Sequence, residues 1–204
     1  AMDIARLDNL LLELTDSERA YCAGARYDWN DAFRQGQQAD IDGRHVRKIG
    51  NAAYALHQEG MPEGLSIVRN SRFNPVPEHV HDYVEISYVY RGSAPQVVNG
   101  TQLTLAQNEV LLLDAACPHA VGELGEHDLM LSIVISRPML RRSLEQSLSS
   151  TSAVSQFLLN ALNDETDHRG HVHFRTGASR RVRRYIQEML CELLEPTAAS
   201  TQIV

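Results

Sequence analysis

The sequence predicts a mainly β protein, a closed or two-sheet antiparallel barrel flanked by helices at both ends. Three observations carry that fold class. From Leu65 to about Ile135 apolar residues recur with a period of two, the pattern of strands with one buried face. Asn99-Gly100 lies between Val97-Val98 and Thr101–Leu105, and both residues tolerate the positive φ of a type I′ hairpin turn. Outside the alternating region, Ile4, Leu7, Leu11 and Leu14 recur at helical spacing near one end. Val182, Ile186, Met189 and Leu193 do so near the other.

The elements follow in order. Residues 3–14 form a first helix, with Leu10 and Leu12 widening its stripe. Thr15-Asp16-Ser17-Glu18 has the form of a capping box that opens a second helix. Residues 30–62 are polar, rich in Gly and Gln, and without a period, and Met61-Pro62-Glu63-Gly64 ends them in a turn. Strands are expected near 65–70, 84–90, 95–98, 101–105, 109–113, 119–122 and 128–136. Many short strands favour closure, because closure leaves no unpaired edge. Pro138 ends the last strand and opens a helix over 139–148; another over 152–162 carries Val154, Phe157, Leu158, Leu159 and Leu162. The final helix, 178–195, sets Val182, Tyr185, Ile186, Met189, Leu190, Leu193 and Leu194 on one broad face, and Pro196 stops it. That stripe either packs on its own domain or meets a partner. Four segments are therefore expected: an N-terminal helical and irregular arm (1–62), a barrel (63–137), C-terminal helices (138–196) and the start of a linker (197–204).

Composition limits the function classes. The chain has 204 residues, 43% of them apolar, enough for one substantial core. No apolar run is long enough to span a bilayer as a helix, and no basic-then-apolar leader opens the chain. Cys22, Cys117 and Cys191 are scattered, which fits a reducing, cytoplasmic setting rather than a disulfide frame. Net charge is −7, with Lys48 the only lysine among 19 basic residues. An acidic chain binds DNA phosphates poorly unless its charge is segregated. Arg180, Arg181, Arg183 and Arg184 do crowd one helix start, in a pattern that also describes a solvated face.

The chemistry gathers in His79-Val-His81-Asp-Tyr83-Val-Glu85 and, further on, Cys117-Pro118-His119. In a single extended strand, residues 79, 81, 83 and 85 would share one face. Three imidazoles and a carboxylate can then hold iron, manganese, nickel or zinc with positions left for a ligand. Without metal, the same groups would line a pocket that hydrogen-bonds an effector carboxylate, hydroxyl or amide. A third reading leaves His79 and His81 on a loop, satisfied by water and nearby carboxylates.

His79, His81, Glu85 and Gly92 reproduce His-x-His-x3-Glu-x6-Gly, which resembles the first motif of the cupin superfamily. The second motif survives only at His119; Asn108, Asp114, Ala116 and Glu123 fill its other positions, and Phe73 stands where a glycine is expected before His79. From Leu65 to about Ile135 the chain is similar to the N-terminal sensor domains of AraC-type transcription regulators. That resemblance implies a cupin-like antiparallel β-barrel (a double-stranded β-helix) followed by paired helices. It also implies a small effector in the barrel, a homodimer joined through Met189, Leu190, Leu193 and Leu194, and DNA contact through a C-terminal domain absent from these residues. Candidate metal ligands are His79, His81, Glu85 and His119, and Tyr83 joins them as a candidate effector contact. No catalytic residue is assigned. The other function these ligands fit is a metal-dependent cupin enzyme, a dioxygenase or isomerase, in which Glu85 is a ligand rather than a base.

Overall fold

The computed structural model of the chain describes residues 2–26, 37–49, 62–145, 152–165 and 167–195. It is mainly β and has the cupin-barrel architecture, two sheets packed face to face with five helices among the described residues. The strands are β1 (Gln37–Ile41), β2 (Arg44–Lys48), β3 (Leu65–Arg69), β4 (Val76–Val80), β5 (Tyr83–Arg91), β6 (Ser93–Val98), β7 (Thr101–Ala106), β8 (Val110–Leu113), β9 (His119–Val121), β10 (Leu129–Ser136) and β11 (His171–Phe174). The helices are α1 (Ile4–Leu12), α2 (Asp16–Cys22), α3 (Arg137–Glu145), α4 (Ala153–Leu162) and α5 (Arg180–Leu194).

One sheet runs β1-β2-β4-β9-β6-β7 and the other β11-β8-β5-β10-β3. All pairs are antiparallel except β2 with β4. The expected hairpin is present at Asn99-Gly100, with φ of 49° and 74°. Gly92 ends β5 at φ 73°, where a Cβ would lie 2.0 Å from Asp128 Oδ1. Asp128 Oδ1 accepts the Ser93 N–H at 2.8 Å, so only glycine fits this corner.

Alternation sorts the side chains onto two faces. Val89, Ala94, Val98, Leu105, Leu111, Leu113, Val121 and Met130 come from both sheets and fill the space between them. The opposite face of β5 and β10 carries Tyr88, Tyr90, Leu129, Leu131 and Ile133, covered by Leu7 and Leu11 of α1 and Leu190, Leu193 and Leu194 of α5. Val84 and Leu112 lie beneath Leu140 of α3 and Phe157 and Ala161 of α4. Each fully buried leucine contributes about 2 kcal/mol of transfer free energy.

Several expectations change. Met189 packs against the core on the outer face of the β5 sheet, and Leu190, Leu193 and Leu194 are buried within it. The expected pairing face is therefore occupied by the chain's own α1 and sheet, which a broad stripe of leucines can fill as well as a partner can. Residues 79–85 are not one strand: His79 lies on β4 and Glu85 on β5, in different sheets. Residues 37–48, inside the segment read as periodless, form a hairpin whose turn Asp42-Gly43 holds φ of 53° and 74°. Strand β11, in the gap between the helices expected at 152–162 and 178–195, was not expected; it joins the barrel through β8. Helix α3 begins at Arg137, and its expected end at 146–148 lies outside the described residues. So do Pro196, the linker start at 197–204 and much of 30–62.

Candidate functional site

Three elements supply the site. His81 lies at the corner between β4 and β5, Glu85 follows on β5, and His119 opens β9. His81, Glu85 and His119 are 2%, 5% and 1% exposed. Their ligand atoms lie within 4.8 Å of one another. Glu85 Oε2 is 3.5 Å from His81 Nε2 and 3.8 Å from His119 Nε2. Two donors on a first-row ion at about 2.1 Å stand roughly 3–3.5 Å apart, so slight inward adjustment completes a two-histidine, one-carboxylate set.

The surroundings orient those atoms. His119 Nδ1 donates to the Cys117 carbonyl at 3.0 Å, which leaves its Nε2 lone pair facing Glu85. His119 Nε2 and His81 Nε2 have no hydrogen-bond partner. The acceptor Nε2 of His119 faces a carboxylate, and both ring nitrogens of His81 are buried without a partner; such a group is costly without a cation or proton in it, so the donor set fits a bound metal. The Ser87 hydroxyl donates to Glu85 Oε1 at 2.9 Å, freeing Oε2 for the imidazoles. Burial, reinforced by the nearby His119, holds His79 and His81 well below the ordinary imidazole pKa. They stay neutral, the form that ligates.

Of the four expected ligands the structure brings three together. His79 lies outside the three-residue group; it is 5% exposed, with its ring centroid 4.1 Å from His119, and its Nδ1 donates to the Pro77 carbonyl at 2.9 Å. Tyr83 stacks on His81 at 4.0 Å and 10°, and burial raises its phenol far above the usual range. Glu123 is exposed, and Tyr88 faces the opposite side, donating to Asn108 Oδ1 at 2.9 Å. Sequence reading missed Ser87, although its place two residues beyond Glu85 puts both on one face of a strand.

Comparisons with known proteins follow the same lines. The family model described as the AraC-like ligand binding domain matches residues 68–202. No curated protein matches the chain. ToxT from Vibrio cholerae is 11% identical over 68% of this chain and 51% of its own, with a TM-score of 0.44. A cupin superfamily protein from Desulfitobacterium hafniense is 21% identical over 40% of this chain and 73% of its own, at 0.34. A Thermotoga maritima protein described as a predicted oxalate decarboxylase is 23% identical over 35% of this chain and 64% of its own, at 0.31. The chain thus spans about half the length of ToxT. The family match covers about two thirds of the residues, including the whole barrel from the middle of β3 and all three residues of the candidate site, and the chain belongs to the AraC-like ligand binding domain family.

Proposed function

We propose that this chain is the sensing domain of an AraC-type transcription regulator, and that a small effector binds inside the barrel at a metal held by His81, Glu85 and His119. The observation that carries the site is the pair of buried, unpartnered Nε2 atoms facing one carboxylate oxygen. A divalent transition ion there supplies a Lewis-acid centre with open positions for an effector oxygen. Glu85 binds through Oε2 while Ser87 holds Oε1. Tyr83 fixes the His81 ring by stacking, and His79 lies beside His119 at the rim of the group. Burial keeps the His81 imidazole neutral, so it needs to lose no proton to bind.

The wider assignment rests on the family. As a sensor domain in the cytoplasm, the barrel shifts a population when effector binds, and DNA is reached through another domain. Among the described residues no helix is long and apolar enough to cross a membrane. Pairing of subunits falls to surfaces other than the buried leucines of α5, and exposed Tyr185 is the aromatic available there. The same ligand set suits a metal-dependent cupin enzyme, and the completeness of that set is what favours this second reading.

Metal analysis of the purified chain, followed by cobalt(II) titration, tests the proposal. One equivalent of metal, lost in His81→Ala and His119→Ala with the fold intact, is the expected result. Stoichiometric binding that survives both substitutions removes these residues from the site. Turnover of a small oxygen-bearing substrate by the metal-loaded chain would favour the enzyme.

A further inference from the structure

The inner face of the barrel holds a polar side chain that the metal group does not use. On β6, Ala94, Gln96 and Val98 are the buried residues, and Ala94 and Val98 belong to the cluster between the sheets. Gln96 therefore points inward, and it is 2% exposed. Its Nε2 donates to Met130 Sδ at 3.2 Å, across on β10 of the other sheet. A thioether accepts weakly and donates nothing, so the amide nitrogen faces the sulfur. The carbonyl Oε1 is left with no hydrogen-bond partner. A buried acceptor in that state weakens the fold, and a ligand that donates to it would remove the penalty.

Strand register places this atom relative to the metal group. Val98 is opposite His119 and Gln96 is opposite Val121, so Gln96 is diagonal to His119 on the inner surface. Diagonal Cβ atoms are roughly 7 Å apart. On the other sheet Ser132 is opposite Ser87, and Val134 is opposite Glu85. Ser132 Oγ accepts from Asn70 Nδ2 at 2.9 Å, which leaves its hydroxyl proton to donate. A free acceptor and a free donor thus flank the three metal-binding groups. Among the described residues, Arg69 and Arg72 have the buried cationic side chains, and both guanidiniums are engaged by Glu18. The barrel offers a multiply charged anion no second positive partner.

We propose that Gln96 and Ser132 form the recognition end of the effector site. The effector class is a small, neutral or singly charged molecule with an oxygen ligand at one end. At its other end is an N–H or O–H donor for Gln96 Oε1. This rests on the reading of His81, Glu85 and His119 as a metal-holding effector site.

The test uses cobalt(II)-loaded protein and two probes of equal charge and similar length, succinamate and monomethyl succinate. Only succinamate carries an N–H. Binding is followed by the visible absorption of cobalt. The expected result is a preference for succinamate of about tenfold or more in the unsubstituted chain, abolished in Gln96→Met. Equal or absent binding of both probes overturns the proposal while leaving the metal group standing, as does a preference that survives in Gln96→Met. Failure of cobalt to bind at all overturns the underlying reading, and this proposal with it. Gln96→Met should also melt no lower than the unsubstituted apoprotein, because it removes an unpartnered acceptor. A melting point lower by several degrees would mean that Oε1 is satisfied within the fold, and would overturn the assignment too.

Discussion

Glu85 and Ser87 stand two apart on β5, and the hydroxyl of one fixes a carboxylate oxygen of the other at 2.9 Å. Loss of such a supporting partner weakens metal binding by about 10–100-fold while the ligands stay in place. Ser87→Ala should therefore bind cobalt more weakly by that factor, with little change in melting. His119→Ala removes a proposed ligand outright, and its loss should exceed that of Ser87→Ala in the same titration. The turn positions argue at this scale too. Phe73 and Asn108 stand where the two cupin motifs expect glycine, and both keep the left-handed backbone, with φ of 72° and 65°. Asn tolerates that region and a bulky aromatic does not. Phe73 is held there by its N–H to the Leu124 carbonyl at 2.8 Å and by stacking on Tyr21 at 5.1 Å. The left-handed turn thus persists at these two positions without glycine, which is why the second motif was hard to read while its one histidine was not.

At the scale of elements, residues 167–170 lie against the turn that organises the site. Gly170 and His168 carbonyls accept the Asp114 and Ala116 N–H groups at 2.9 and 2.8 Å, and His168 Nδ1 lies 3.2 Å from Asp114 Oδ2. From that same turn Ala115 accepts the His81 N–H at 3.1 Å, and Cys117 accepts from His119 Nδ1. Residues 167–170 therefore bear on both candidate imidazole ligands. His168→Ala should loosen the turn, seen as faster hydrogen exchange at the Ala116 amide and cobalt binding about tenfold weaker. Unchanged exchange would show that the backbone bonds suffice alone. None of this was legible beforehand, because β11 is a four-residue strand after a polar loop and its partner β8 is distant in sequence. What the sequence did show was local: the capping box at Thr15 and Glu18, the Asn99-Gly100 turn and the period-two strands. Helix α5 was legible as a helix but not in its partner, since a leucine stripe specifies burial and not by what. Leu190 is fully buried against α1 and the outer face of the sheet. Leu190→Ala should cost about 2–5 kcal/mol in denaturant unfolding without altering the oligomeric state; dissociation of an oligomer would return this face to the interface.

Across the whole molecule, one buried ion cluster joins the N-terminal helices to the barrel. Glu18 of α2 is completely buried. It accepts from Arg72 N and Nε at 2.8 and 3.0 Å, from Arg69 Nη2 at 2.7 Å and from Thr15 N at 2.8 Å. Burial alone would raise its pKa, but the Arg72 and Thr15 hydrogen bonds and the Arg69 charge outweigh it and lower the carboxyl from 4.5 to about 2. Because the folded value lies below the unfolded one, the unfolded chain binds the proton first as pH falls. The stabilisation is therefore complete above pH 4.5 and drains away as pH drops toward 2. A shift of this size corresponds to about 3 kcal/mol. Glu18→Gln should abolish this step, flattening the acid limb of a stability profile measured by urea unfolding. It should also destabilise the chain at neutral pH by about 3–5 kcal/mol, because it strands two arginines beside a neutral amide. If α1 and α2 dock mainly through Leu7 and Leu11, the substituted chain would keep its acid limb and lose little at neutral pH. The charge cluster would then be an accessory to apolar packing rather than the attachment of the N-terminal helices.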